Sequence, residues 1–211
     1  MEGLIIQNNH ETNSIEIQEG SIFKDSLIKI EGSNNNVTLK KCLEYSKLTI
    51  KIKGNNKTIL INESSKKINN LTISSHRGDN QSVIIGKDFG CGGSILHLND
   101  GDESITIGED CLFSWDIHMR TSDGHSIIDQ STGIAFNTPK PIKIGNRVWV
   151  SQHVYIMKGS EIQDDSVIAL GSIVTKHFDE SNVVIAGNPS KIIRRNIRWN
   201  RKKPSEFNSD R

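Results

Sequence analysis

Residues 144–176 read IGNRVWVSQHVYIMKGSEIQDDSVIALGSIVTK, and an aliphatic residue recurs at every sixth position of this stretch. The recurring residues are Ile144, Val150, Ile156, Ile162, Ile168 and Val174. A second column of small or β-branched residues follows four positions after each of the first five: Val148, Val154, Ser160, Ser166 and Ser172. A period of six differs from the 3.6 of an α-helix and indicates a parallel β-helix, in which each hexapeptide is one short strand and its corner. The stretch therefore predicts an all-β solenoid with both columns pointing inward.

The repeat continues upstream in a looser form. Apolar-x-apolar triplets begin at residues 28, 37, 48, 59, 71, 83, 96 and 105, about 11 residues apart, with turn-forming Gly and Asn between them. Independent antiparallel hairpins are the alternative for this half, but a solenoid needs stacked neighbours to bury its faces. We predict one β-helix domain over residues 1–190 and a basic extension over residues 191–211.

The composition supports a β fold and excludes several function classes. The chain of 211 residues has 32 Ile against 11 Leu and 3 Ala, which disfavours a helical bundle. A net charge of +1 provides no basic field for nucleic acid. The three cysteines, in no CxxC pair, predict neither a disulfide framework nor a thiolate zinc site. Short apolar runs and a polar N-terminus predict no transmembrane segment and a cytoplasmic location.

One stretch interrupts the six-residue repeat. Residues 119–143 read MRTSDGHSIIDQSTGIAFNTPKPIK and contain no six-residue column. A long loop inside a regular solenoid is usually functional. It contains His125, and histidine suits general-base chemistry because its ordinary pKa is near ~6.5.

Two sets of residues carry a resemblance to a known family. The repeat above, followed by VIAGNPSKIIRR, resembles the hexapeptide-repeat acyltransferases. The loop MRTSDGHSI and the closing NPSKIIRRNIRWNR are similar in particular to bacterial capsule O-acetyltransferases of the polysialic acid type. The resemblance covers about residues 105–201 and implies a left-handed parallel β-helix, a homotrimer with active sites between subunits, and no metal.

The resemblance also implies a reaction. It is acetyl transfer from acetyl-CoA to hydroxyls of a capsular or other cell-surface polysaccharide, with a sialic-acid-containing acceptor compatible. The enzyme is expected in the cytoplasm, at the inner membrane with a capsule assembly machinery. The alternatives are an acetyltransferase for a small sugar, an amino-sugar nucleotide or a xenobiotic, a zinc enzyme using His118, His125 and His153, and a non-catalytic solenoid.

The catalytic assignments follow from the resemblance. His125 matches the loop histidine that takes the hydroxyl proton, and Trp149 matches a tryptophan beside the thioester, with subunit packing as its alternative. Arg120 contacts an anionic acceptor or supports the loop. Asp123 or Asp129 orients the imidazole, or either is an ordinary turn residue.

The donor assignments concern the last coils. Ala169, Gly171 and Ser172 provide the small side chains that a pantetheine slot requires. Lys176 and Lys191 match basic positions near the donor end, where cations would bind the phosphates of coenzyme A. The alternative for the basic region is a solvated tail, since residues 194–203 hold six Lys or Arg and no acid.

Overall fold

The computed structural model describes residues 2–207, and it confirms the predicted all-β solenoid. The chain passes through three sheets, A, B and C, in a fixed order, and repeats this circuit about eight times. Each circuit is one coil, so the solenoid is a three-sided prism with corners A–B, B–C and C–A. Helix α1, Pro204–Phe207, is the one helix of the described residues, and it is too short to span a membrane.

The three sheets contain 25 strands. Sheet A contains β1 Leu4–Asn8, β4 Ser26–Glu31, β7 Thr49–Lys53, β10 Leu71–Ser75, β13 Ser94–Leu98, β16 Ile117–Arg120, β19 Tyr155–Met157 and β22 Ile173–Val174. Sheet B contains β2 Ser14–Ile17, β5 Asn36–Leu39, β8 Thr58–Ile61, β11 Ser82–Ile85, β14 Ser104–Ile107, β17 Ile142–Ile144, β20 Glu161–Ile162 and β23 His177–Phe178. Sheet C contains β3 Phe23–Lys24, β6 Cys42–Ser46, β9 Ser64–Asn69, β12 Gly90–Cys91, β15 Leu112–Phe113, β18 Trp149–Val150, β21 Val167–Ile168, β24 Val184–Gly187 and β25 Ser190–Arg194.

The two six-residue columns form the core of the last coils, as predicted. In sheet A, Ile156 lies beside Val174, and in sheet C Val150 lies beside Ile168. All members of both columns are buried. Equivalent side chains therefore stack from coil to coil at the strand spacing of ~4.8 Å.

The N-terminal coils are longer than the last ones. A full circuit takes 22 residues from Ile28 to Ile50, but 18 from Ile156 to Val174. The triplets at intervals of about 11 residues lie alternately in sheets A and B, so two of them make up one long coil. The additional residues form corners such as the one at Gly54 and Asn56, where φ is positive. The hairpin alternative is wrong, because the strands of this half pair in parallel.

A buried polar ladder follows the inside of corner A–B in the N-terminal coils. The ammonium of Lys57 donates hydrogen bonds to the carbonyl of Lys53 at 2.6 Å, to Ser75 Oγ at 2.8 Å and to Gln81 Oε1 at 3.0 Å. The Gln81 amide then donates to the carboxylate of Glu103. Lys57 is fully buried, and this burial lowers the pKa of its ammonium to about 8.

This ladder makes stability depend on pH above neutrality. Between pH 8 and 10.5 the unfolded chain keeps the proton of Lys57 while the folded chain loses it, so the folded state is favoured as pH rises. We expect the free energy of unfolding of the wild type, minus that of Lys57→Met, to increase by ~2–3 kcal/mol across this range. Urea unfolding at several pH values measures the difference, and a flat or falling difference would contradict the pKa assignment.

The basic extension packs on the solenoid. Strand β25 crosses the predicted boundary at residue 190 and pairs antiparallel with β24. The chain then runs back along corner B–C, where Trp199 Nε1 donates to the carbonyl of Arg147 and the guanidinium of Arg201 donates to Asp110 Oδ1 at 2.9 Å. Residues 191–201 are therefore not a solvated tail.

Candidate active site

The interrupting loop leaves the solenoid at corner A–B. It begins after β16 in sheet A and ends at β17 in sheet B. Ile128 and Ala135 form an antiparallel bridge, so the loop doubles back on itself. At its tip Asp129 Oδ1 accepts hydrogen bonds from the backbone and hydroxyl groups of Ser131 and Thr132, which lower the pKa of Asp129 to about 2. Asp129 is thus a turn residue.

Asn137 braces the part of the loop that contains the histidine. Its Nδ2 donates to Asp123 Oδ2 at 2.7 Å and to the backbone carbonyl of His125 at 2.8 Å. Its Oδ1 accepts from the backbone N–H of Ile127 at 2.7 Å. One side chain therefore fixes the backbone on both sides of His125.

Lys158 anchors the loop to the next coil. This residue follows β19 and lies at corner A–B one coil further along the prism. Its Nζ donates to the carboxylate of Asp123 and, at 2.6 Å, to the carbonyl of Asn137. The hydrogen bond from Lys158, followed by that from Asn137, keeps the pKa of Asp123 below its ordinary value. Asp123 is therefore an ionised link between the loop and the solenoid.

The imidazole of His125 is exposed, and within residues 2–207 it has no hydrogen-bond partner. The hydrogen bonds of Asp123 and Asp129 in the described residues go to other groups and not to the ring. Asp123 acts on the backbone of His125 through Asn137 instead. Arg120, the last residue of β16, is exposed and forms no ion pair with the described residues.

Trp149 lies on the outer face of sheet C, where its backbone pairs with Leu112 and Val167. Its side chain is 36% exposed, and the ring faces outward from the coil. The indole packs against Trp199 of the C-terminal extension, with ring centroids 6.2 Å apart. The extension therefore supports the position of Trp149.

Within one chain, Trp149 and His125 lie on opposite sides of the prism. Each coil has three sides, so the corner between sheets A and B faces away from sheet C. The His125 loop leaves from that corner, whereas Trp149 is on sheet C. A single copy of the chain does not bring the two residues together.

Next to Trp149, a column of small side chains that face outward runs along sheet C from coil to coil. Its members follow from the strand register: Gly92, Ser114, Ser151, Ala169 and Ala186. Ala169 is therefore on the outer surface, as a donor slot requires. Gly171 at corner C–A has a positive φ of 71° and open space around its Cα.

Ser172 points into the solenoid. It is fully buried, and its hydroxyl donates to the carbonyl of Ala169 at 2.6 Å and accepts from the N–H of Gly187 at 3.2 Å. Its side chain fixes the backbone of this corner, so any effect on a donor acts through that backbone.

The two lysines proposed for the donor phosphates are exposed and lie on different sides. Lys176 is at corner A–B, two coils beyond the His125 loop, with its ammonium 5.1 Å from the ring of Phe178. Lys191 is on β25 beside Ala186, at the C-terminal edge of sheet C.

His118 and His153 form a separate cluster at corner C–A. His118 Nε2 lies 2.9 Å from Asp116 Oδ1, and His153 Nδ1 lies 2.6 Å from Asp116 Oδ2. These two contacts, that of His153 first, lower the pKa of Asp116. His125 leaves from another corner, so the three histidines do not come together within one chain. Residues 2–207 contain no group of three His, Cys, Asp or Glu side chains arranged to hold a metal.

Sequence reasoning missed the residues that hold the site. Asn137, Lys158 and Trp199 each act through a contact between segments that are distant along the chain. Lys158 could have been found from the sequence, because counting along the six-residue repeat places it at the corner directly beyond the loop. The sequence contains no comparable sign of the roles of Asn137 and Trp199.

Comparisons with known proteins identify relatives over nearly the whole chain. A polysialic acid O-acetyltransferase of Neisseria meningitidis is 33% identical over 190 residues, which are 90% of this chain and 86% of that protein. One of Escherichia coli O1:K1 / APEC is 40% identical over 128 residues, so the match spans 61% of this chain and 41% of that relative's length. No protein-family model matches the sequence.

Two solved structures share the fold. The polySia-specific acetyltransferase NeuO aligns with a TM-score of 0.87 and 32% identity, over 100% of this chain and 95% of NeuO. The polysialic acid O-acetyltransferase OatWY aligns with a TM-score of 0.87 and 30% identity, over 98% and 95%. The match to NeuO confirms the left-handed β-helix and the class of hexapeptide-repeat acyltransferases. Within that class, the chain belongs to the polysialic acid O-acetyltransferase family.

The brace at Asn137 gives a prediction for the loop. Asn137→Ala removes the acceptor of the Ile127 N–H and two further hydrogen bonds, so we expect loop amides to exchange about 30-fold faster, a loss of about 2 kcal/mol. Hydrogen–deuterium exchange of peptides from residues 121–141 measures the effect. Gln130→Ala removes an exposed amide of the same loop and is the matched control. Equal exchange in both variants would contradict the brace.

Proposed function

We propose that the chain is an acetyl-CoA-dependent O-acetyltransferase that modifies hydroxyls of an acidic capsular or other cell-surface polysaccharide, with sialic-acid-containing chains as the leading acceptor. The observation that carries the proposal is the anchored loop that presents His125 without a partner from its own chain. The substrate class is supported by the membership of the chain in the polysialic acid O-acetyltransferase family. The proposed location is the cytoplasm, at the inner face of the membrane where the polymer is assembled.

His125 is the proposed general base. Its free imidazole nitrogen takes the proton of the acceptor hydroxyl while that oxygen attacks the acetyl carbonyl. The bond between the carbonyl carbon and sulfur breaks, and the imidazolium returns the proton to the leaving thiolate. The chain itself is not acylated. Trp149 Nε1 and backbone N–H groups are the proposed donors to the carbonyl oxygen as negative charge develops on it.

The proposed site lies between two copies of the chain. Corner A–B carries the His125 loop and then Lys176, two coils later. Sheet C carries Trp149, then Ala169 one coil later, and Lys191 at its end. The two surfaces present the groups of the reaction in the same order along the prism axis. A corner of one copy facing sheet C of the next would therefore assemble a complete site.

The surface of the loop supports a partner copy. Four large apolar side chains of the loop are more than half exposed: Ile127, Ile128, Ile134 and Phe136. An exposed apolar cluster on a soluble surface usually marks a contact with another molecule. Closed cyclic symmetry makes a trimer the simplest ring in which every corner meets a sheet C, and the proposed assembly is a homotrimer.

The donor fits the remaining surface. The small side chains at Ala169 and Ala186 leave the outer backbone of sheet C accessible to an extended pantetheine, and the open surface at Gly171 continues this path. Lys176 of one copy and Lys191 of the next are the proposed partners of the coenzyme A phosphates. Arg120 is available for an acidic acceptor because no described carboxylate pairs with it.

Removing the proposed base tests the chemistry. We expect His125→Ala to lose ~10²–10⁴-fold in kcat, because a general base contributes that much, with unchanged affinity for coenzyme A. Thiol release from acetyl-CoA and calorimetric binding of coenzyme A measure the two quantities. His10→Ala, an exposed histidine of the first coil, is the control. A variant that kept more than about a tenth of wild-type turnover would exclude His125 as the base.

Mixing two inactive variants tests the position of the site. When His125→Ala and Trp149→Ala chains are unfolded together, refolded and assayed, random assembly pairs an intact histidine with an intact tryptophan at about a quarter of the interfaces. We expect about a quarter of wild-type activity. Each variant refolded alone is the control. Absence of recovery in folded mixed oligomers would place both residues in one chain.

A panel of acceptors tests the substrate class. Polysialic acid, monomeric sialic acid, dextran and simple sugars are compared by thiol release with the same enzyme. Turnover of the acidic polymer above all others supports the proposal. Turnover of monosaccharides alone would instead establish a small-molecule acetyltransferase.

A further inference from the structure

The outer face of sheet C contains a groove on the N-terminal side of Trp149. It has a volume of about 400 Å³. The indoles of Trp115 and Trp149 line it, together with the backbone at Gly90 and Gly92. The Trp115 side chain is 60% exposed, which is unusual for so large an apolar group. We call this feature the sheet C groove.

Two glycines form the floor. Gly90 pairs with Leu112, which pairs with Trp149, so Gly90 occupies an outward position, where its backbone lies beneath the side chains of Lys66 and Arg201. A Cβ at Gly92 would lie 2.9 Å from Trp115 Nε1, so the indole rests directly on the Gly92 backbone. The groove thus results from glycine at two positions, Gly90 in β12 and Gly92 directly after it, and from the Trp115 ring that covers Gly92.

The rim is basic. Lys66, Lys67 and Arg201 line the groove, and no carboxylate does. The ammonium of Lys67 lies 3.4 Å from the carboxylate of Glu44, and the guanidinium of Arg201 pairs with Asp110. Lys66 forms no ion pair with the described residues. An anionic ligand therefore finds one unpaired ammonium and two further cations.

Aromatic faces and cations together suit a particular ligand chemistry. The apolar face of a sugar ring packs on an indole, and a sugar carboxylate forms charge-assisted hydrogen bonds with Lys or Arg. The groove crosses β9, β12, β15 and β18, three strand spacings or ~14 Å, which exceeds one sugar ring. The proposed donor path lies on the other side of Trp149. An acceptor in the groove would therefore approach the transferred acetyl group from the free side.

We propose that the sheet C groove binds units of an acidic polysaccharide next to the unit that is acetylated. This inference rests on the proposed function, and it adds the acceptor subsite, its residues and a preference for chains over monomers. Trp115 stacks on a sugar ring, Lys66 and Arg201 bind carboxylates, and Gly90 adds no side chain to the floor beneath these two cations. The polymer is held beside Trp149, so its next hydroxyl reaches the His125 base.

Three variants test the groove. Trp115→Ala removes the stacking face, Lys66→Glu reverses the free charge, and Gly90→Leu fills the floor without removing any group. We expect each to raise the KM for polysialic acid about 10-fold or more, the effect of losing one charged or stacking contact, without raising the KM for acetyl-CoA. Lys51→Glu, on the exposed face of sheet A, makes the same charge change and is the control.

Direct binding separates the groove from the chemistry. His125→Ala, alone and combined with each groove variant, is titrated with polysialic acid, dextran and an oligothymidylate of similar charge. Binding of polysialic acid that the groove variants abolish supports the groove even if no polymer is acetylated, in which case only the proposed function fails. Groove variants that bind like Lys51→Glu would overturn the inference. So would absent binding of polysialic acid, or equal binding of dextran or of the oligothymidylate.

Discussion

The structure depends on the stacking of inward aliphatic side chains in parallel register. Each coil is too short to bury its own side chains, so Ile156 is covered by Val174 of the next coil and by Met119 of the coil before. Burial of such columns supplies most of the stabilisation. It also fixes every outward position, because a strand in a given register has one inner and one outer face. The surface available for function is therefore set by the core.

A stacked core restricts where irregular backbone can occur. Inside a sheet, an inserted residue would break hydrogen bonds in two neighbouring coils, whereas a corner tolerates it. The N-terminal coils use this freedom for longer turns, and the coil between β16 and β17 uses it for the loop that contains His125. The loop then depends on contacts that the corner provides, chiefly the ammonium of Lys158 on the next coil. These contacts hold the loop in a defined position.

The outer face of sheet C provides the surfaces on which we propose that donor and acceptor bind. Sheet C presents Trp149 between the small side chains of Ala169 and Ala186 on one side and the sheet C groove on the other. The C-terminal extension runs along the adjoining corner, and its Trp199 and Arg201 contact both the predicted catalytic tryptophan and the rim of the groove. A segment whose composition resembles a solvated tail is thus part of the outer surface at sheet C and its adjoining corner. Two of its cations pair with carboxylates of the solenoid, Arg195 with Glu180 and Arg201 with Asp110.

The amino-acid sequence was sufficient to predict the solenoid, because a period of six leaves one way to bury Ile and Val. It also located the loop, as the place where that period stops. The resemblance added the handedness and the predicted roles of His125 and Trp149. The three-dimensional structure was needed to show that Asp123 binds Lys158 and Asn137 and that Ser172 points inward. It also showed that residues 191–201 pack along corner B–C and against Trp149 of sheet C. These contacts join residues far apart in the chain, and their partners depend on corner geometry that periodicity does not encode. The opposite placement of His125 and Trp149 has the same origin: a repeat reports which residues face out, and only the closed three-sided coil determines in which direction.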